Sequence, residues 1–142
     1  MTRCPPKIRL IIIDLDHTLL PWTLPESRLN RHVEKIRALF TELIRTCGVK
    51  IYIASFNLQA AEWCEHYKIP IHYVLPIHYK KSKMIKDAIA REQNTIKVNE
   101  ILFLDDLLEN IKDVKQKYPK VKAILVEKKV GATLEIIKSS LL

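Results

Sequence analysis

The chain has 142 residues, 48% of them apolar, with 24 Lys and Arg against 16 Asp and Glu, a net charge of +8. That apolar content, spread along the whole length, supports one domain (1–142) with a substantial core and excludes a disordered chain. No apolar run reaches transmembrane length, and residues 1–7 are too short and Pro-rich for a cleavable signal, so they read as an N-terminal arm and no membrane partner is expected.

The first element is a strand, 8–13, short, β-branched and bounded by polar residues. A long helix follows over 26–47, with Val33, Ile36, Phe40, Leu43, Ile44 and Cys47 on one stripe, and Gly48 is placed to close it in a left-handed cap. A second strand is expected at 50–54, a helix at 58–67 stopped before Pro70, and a short strand at 72–75. Ser82 reads as the cap of a helix over 83–93, whose inner stripe is Met84, Ile85, Ala88 and Ile89. A strand at 100–104, a helix at 107–117 with Leu108, Ile111 and Val114 inward, a strand at 121–126 and a helix at 133–141 complete the pattern. Strands alternating with helices imply parallel pairing through right-handed crossovers, hence an α/β sheet covered on both faces. In such sheets ligands bind at the carboxyl ends of the strands.

Polar residues collect at those ends. The first strand runs into Asp14-Leu15-Asp16-His17-Thr18, the second into Ser55, and the strand at 100–104 into Asp105-Asp106; Ser82-Lys83 opens a helix. Taken singly, each has an ordinary role: Asp14 and Asp16 as turn acceptors, Ser55 and Asp106 as helix caps, Lys83 as a solvated surface lysine. Together they form a phosphate-and-metal constellation. A phosphomonoester and a carboxylate nucleophile are both anionic and repel by several kcal/mol at close range (roughly, for an effective dielectric near 20). Oxygen ligands around a hard divalent cation, a lysine and a hydroxyl are the groups that offset that repulsion.

The other chemistry-bearing residues narrow the field. Two glycines, Gly48 and Gly131, exclude a Gly-rich nucleotide loop. Cys4, Cys47 and Cys64 form no Cys-x-x-Cys and are expected as free thiols in a reducing, cytoplasmic compartment; the five histidines show no metal-ligand spacing. The basic balance favours anionic partners, although many lysines sit at spacings expected of solvated helix faces.

Asp14-Leu15-Asp16-His17-Thr18 resembles the first motif, Asp-x-Asp-x-Thr, of the haloacid dehalogenase (HAD) superfamily phosphatases. Ser55 after Ile51-Tyr52-Ile53-Ala54 resembles the second motif, Lys83 the third, and Leu102-Phe103-Leu104-Asp105-Asp106 the fourth; within the superfamily the sequence is most similar to the magnesium-dependent phosphatases. The resemblance implies a three-layer HAD-like Rossmannoid with a mostly parallel central sheet. It implies an Mg²⁺-dependent phosphatase with Asp14 as nucleophile, forming an aspartyl-phosphate, and Asp16 as the acid and then the base. It implies metal binding by Asp14, the Asp16 main-chain carbonyl, Asp105 and Asp106, direct or through water, and phosphate binding by Thr18, Ser55, Phe56, Asn57 and Lys83.

The sequence departs from that pattern in one place: Phe56 stands where the family carries a substrate-binding Arg. Asp14 to Ser55 is 41 positions and Ser55 to Lys83 is 28, too few for a cap domain beside the helices those intervals already hold. An open site is therefore expected, suited to phosphoprotein of the phosphotyrosine kind or to a broad range of small phosphoesters. A 3′-phosphate on nucleic acid, favoured by the +8 charge, is the alternative substrate, and a non-catalytic module holding a phosphorylated ligand or nucleic acid is the alternative function. His17, Trp22 and Phe56 are candidates to lie near the leaving group.

Overall fold

A computed structural model describes residues 4–142, so the first three residues of the expected arm lie outside the described residues. Five strands, β1 (Leu10–Ile13), β2 (Lys50–Ile53), β3 (Tyr73–Val74), β4 (Ile101–Asp105) and β5 (Lys122–Leu125), form one sheet in the order β3-β2-β1-β4-β5. Every pairing is parallel, with Ile13 beside Ile53 on one side and Leu104 on the other. Five helices connect and cover the strands: α1 (Glu26–Cys47), α2 (Ala60–His66), α3 (Lys81–Arg91), α4 (Leu108–Lys117) and α5 (Leu134–Ser140). The expected α/β class and its three layers are present, with no cap domain among the described residues.

The strand period of two sorts the core into two halves. Ile11, Ile13, Ile51, Ile53, Leu102 and Leu104 face the side packed by α1, α2 and α5. Leu10, Ile12, Tyr52, Ile101 and Phe103 face α3 and α4. β1 and β4 are apolar on both faces because both are covered, which is why they read as continuous runs and not as alternation.

Helix α1 has the bounds that its periodicity predicts. It buries Leu29, Val33, Ile36, Leu39, Phe40 and Leu43, and Gly48 closes it at φ 68°, donating its N–H to the Leu43 carbonyl. Helix α3 begins two residues earlier than expected. Ser82 is not its cap; it lies in the first turn and donates its N–H to Asp113 of α4 at 2.8 Å, so a neighbouring helix supplies the acceptor that sequence assigns to the serine. Leu108, expected inward, is half-exposed at the rim, and Asn110 takes the buried place beside Ile111 and Val114.

The cysteines also differ from expectation. Cys4 and Cys47 form a disulfide, with Cα atoms 5.4 Å apart, leaving buried Cys64 as the free thiol among the described residues. The bond ties the segment before β1 to the end of α1, at the amino edge of the sheet. It removes the thiol-based ground for a reducing compartment. No helix among the described residues is long and apolar enough to cross a membrane.

The sheet order sets the position of the site. The chain moves outward from β1 through β2 to β3, then returns to the far side of β1 with β4. The carboxyl ends of β1 and β4 therefore flank the point where the winding reverses, the usual position of a crevice in such sheets.

Candidate active site

Asp14 follows β1 directly, its N–H bonded to the Leu104 carbonyl at 3.0 Å, and Asp105 is the last residue of β4. Neighbouring parallel strands thus hold the two carboxylates side by side. Asp106 joins them: carboxylate oxygens of Asp14, Asp105 and Asp106 all lie within 4.8 Å of one another.

One ammonium faces these three acids, and it belongs to Lys81. Its side chain is fully buried, and Nζ donates to Asp14 Oδ1 at 3.1 Å, Asp105 Oδ2 at 2.9 Å and the Ala54 carbonyl at 2.6 Å. Lys83 is not brought to this cluster; it is exposed, with Nζ 5.4 Å from the centre of the Tyr79 ring. The reason is helical phase. Lys81 precedes Met84, Ile85 and Ala88 by three, four and seven positions, so it shares their inward stripe, while Lys83 lies about 200° around the helix from it. That periodicity was available in the sequence and separates the two lysines where motif spacing does not.

Asp105 is held from all sides. Besides Lys81, its Oδ2 accepts from Asn110 Nδ2 at 3.1 Å and its Oδ1 from the Leu107 N–H at 2.9 Å. Asp106 is partly exposed, and its Oδ1 accepts from Thr18 Oγ1 at 3.1 Å. Thr18 itself is fully buried, and its hydroxyl orients the Asp106 carboxylate. Burial pushes the Asp14 carboxyl up to about 8, with Asp105 and a hydrogen bond with Asp106 adding to the effect and Lys81 opposing it.

Asp16 points to different partners. Its Oδ1 accepts from Trp22 Nε1 at 2.7 Å, and both oxygens lie 3.3 Å from Asn57 Nδ2. Trp22 is fixed in turn by edge contact with Trp63, ring centres 5.0 Å apart. Asp16 is thus the one acid of the first motif outside the three-carboxylate cluster, and any metal contact it makes falls to its main chain. The loop carrying it is tight: His17 has φ 59°, its N–H bonds to the Leu20 carbonyl, and its Nδ1 is buried without a hydrogen-bond partner. His32 of α1 braces the same loop through the Leu19 carbonyl.

Ser55 is buried at the end of β2, its Oγ accepting from the Asn57 N–H at 3.0 Å; this is a local turn contact, and the residue before α2 is Gln59, so Ser55 is not that helix's cap. Phe56 is 44% exposed, with its ring centre 4.9 Å from Lys81 Nζ, so an aromatic face and not a guanidinium borders the lysine. Gly131 seals the loop from outside. Its φ is +68°, the Ala132 N–H bonds to the Thr18 carbonyl, and a Cβ at residue 131 would fall 2.6 Å from that same oxygen.

The donor set fits a hard divalent cation. It is all oxygen, and three carboxylates face a single ammonium. Burial is the main cause of the elevated Asp14 value and the neighbouring Asp105 charge adds to it; a bound cation would oppose both effects. Asp106 is the most exposed of the three.

Solved structures share this architecture. The N-terminal part of protein BF1531 from Bacteroides fragilis, containing a phosphatase domain complexed with Mg, superposes with TM-score 0.70 at 20% identity over 95% of this chain; the chain spans 40% of that one. A predicted HAD-like family hydrolase from Porphyromonas gingivalis gives TM-score 0.60 at 13% identity, covering 95% of this chain and 98% of that one. An uncharacterized protein from Corynebacterium glutamicum gives 0.63 at 14%, covering 94% and 95%. No family model and no curated protein matches the sequence. At these identities the likeness establishes the fold, and the fold is HAD-like.

Proposed function

We propose that this HAD-like protein is an Mg²⁺-dependent phosphomonoesterase that works through an aspartyl-phosphate on Asp14. The observation that carries the reading is the meeting of Asp14, Asp105 and Asp106 with the buried Lys81 ammonium at the carboxyl ends of β1 and β4. Asp14, Asp106 and the Asp16 main-chain carbonyl would hold the cation, with Asp105 supporting them through Lys81 and Asn110. When bound, Mg²⁺ neutralises phosphate oxygens and keeps Asp14 ionised.

The chain's own groups divide the rest of the work. An Asp14 carboxylate oxygen attacks phosphorus as the ester P–O bond breaks, giving an acyl phosphate. The leaving oxygen takes the proton held by Asp16. Water then attacks phosphorus, losing its proton to Asp16, and inorganic phosphate leaves as the Asp14 carboxylate is restored. Trp22 and Asn57 fix Asp16 apart from Asp14, so that the two carboxylates serve opposite sides of the reacting group. Lys81 supplies a positive charge close to the nucleophile. With no cap over the rim, phosphates on large or exposed carriers have access as well as small aryl phosphates.

The test is hydrolysis of p-nitrophenyl phosphate by wild type and Asp14→Asn, each with Mg²⁺ and with EDTA. Turnover that needs both the aspartate and the metal supports the reading. Undiminished turnover by Asp14→Asn refutes the mechanism.

A further inference from the structure

Beside the acid cluster, and outside it, lies a cavity of about 370 Å³ between α3 and the end of α4. Lys80, Lys83, Lys86 and Lys117 line it together with Ser82 and Tyr118, and none of its lining residues is acidic. Asp113 accepts from the N–H of Ser82, one of the lining residues, at 2.8 Å, and Asp87 pairs with His78 Nε2 at 2.9 Å. Two of its lining residues, Lys80 and Ser82, flank Lys81, whose Nζ sits in the acid cluster.

Aromatic faces are interleaved with these lysines. Tyr79 is 75% exposed, with the Lys80 and Lys83 ammoniums 5.9 and 5.4 Å from its ring centre. Phe56, half-exposed, has its ring centre 4.9 Å from Lys81 Nζ. A large exposed aromatic has no role in the folding of this domain, and a cavity lined by four lysines opposes folding through like-charge repulsion. Both features suit a ligand that carries repeated negative charge and flat π-faces.

Resting on the phosphomonoesterase reading, we infer that the substrate is the phosphorylated end of a single-stranded nucleic acid. The terminal phosphate enters at Asp14, the following phosphates lie along the Lys80, Lys83, Lys86 and Lys117 cavity, and a base stacks on Tyr79. An acidic phosphopeptide satisfies the lysines but has no use for the exposed ring between them.

The experiment compares kcat/KM on p-nitrophenyl phosphate, on a ten-nucleotide single-stranded DNA phosphorylated at its 3′ or its 5′ end, and on an acidic phosphotyrosine peptide. It uses wild type, Lys86→Ala/Lys117→Ala and Tyr79→Ala. One of the two oligonucleotides is expected to exceed p-nitrophenyl phosphate at least about tenfold, the end identifying which phosphate is taken. The double variant should keep p-nitrophenyl phosphate activity while its log–log salt slope on the oligonucleotide falls by about 1.4, near 0.7 for each lysine. Tyr79→Ala should lose roughly tenfold on the oligonucleotide alone. Preference for the peptide, or equal losses on all substrates, overturns the inference. If p-nitrophenyl phosphate and every other substrate are inert, the phosphatase reading fails by itself. Fluorescence anisotropy of the labelled oligonucleotide then decides the surface: binding weakened in the double variant supports it, and absence of binding overturns it.

Discussion

Lys81 carries the only ammonium in the acid cluster among the described residues, and replacing it with Met removes that charge while keeping the length of the side chain. With Mg²⁺ chelated at pH 7, Asp14 is mostly protonated, so the ion pair lost is the 2.9 Å contact with Asp105. At an effective dielectric near 20 that pair is worth about 6 kcal/mol before the cost of desolvating its members. Removal of one partner of such a buried pair typically costs about 3–5 kcal/mol, because the other charge stays buried. Lys81→Met should therefore lower the urea unfolding free energy by that amount in EDTA. The loss should deepen above about pH 8, where Asp14 ionises beside Lys81 in the wild type, whereas without that ammonium its carboxyl is held protonated to higher pH. In Mg²⁺ its turnover of p-nitrophenyl phosphate should fall about a hundredfold or more. Lys83→Met is the control and should stay within about 0.5 kcal/mol, as exposed substitutions usually do. A stable, active Lys81→Met, or an equal loss in Lys83→Met, would refute the assignment of the buried lysine.

Three further outcomes follow from the same contacts. Because the folded Asp14 value, about 8, lies above its ordinary 3.8, the metal-free protein holds a proton that the unfolded chain releases between those limits. Its stability in EDTA should be fullest below pH 4 for this group and decline by about 1.4 kcal/mol per unit as pH rises towards 8; Mg²⁺ binding at pH 7 should release close to one proton, seen by titration calorimetry in two buffers. Cys47→Ser opens a cross-link between residues 43 apart and should cost about 4 kcal/mol by chain entropy, with kcat unchanged because the bond lies at the amino edge of the sheet; a loss of activity at full folding would contradict that placement. Gly131→Ala forces a Cβ towards the Thr18 carbonyl at a left-handed φ and should destabilise by about 1–3 kcal/mol in thermal unfolding, whereas a neutral result would mean the loop has room to move.

Much of this protein is readable in short windows of its sequence. The apolar period separates strands from helices, the Gly48 cap ends α1, and the strand-helix alternation leads to a parallel sheet whose carboxyl ends carry Asp14, Ser55, Asp105 and Asp106. Those signals are local, since a period or a cap depends on residues within a few turns of one another. Tertiary packing decided which groups meet. Asp113 displaced Ser82 from its capping role, Trp22 and Asn57 turned Asp16 away from its neighbours, and Thr18 was spent on Asp106. Cys4 found Cys47 because β1 and β2 are adjacent and in register, which no cysteine spacing reveals. Lys81 stands between the two cases. Its helical phase marks it as inward, but a buried ammonium is tolerable only where Asp14 and Asp105, 67 and 24 residues away, come within hydrogen-bonding reach.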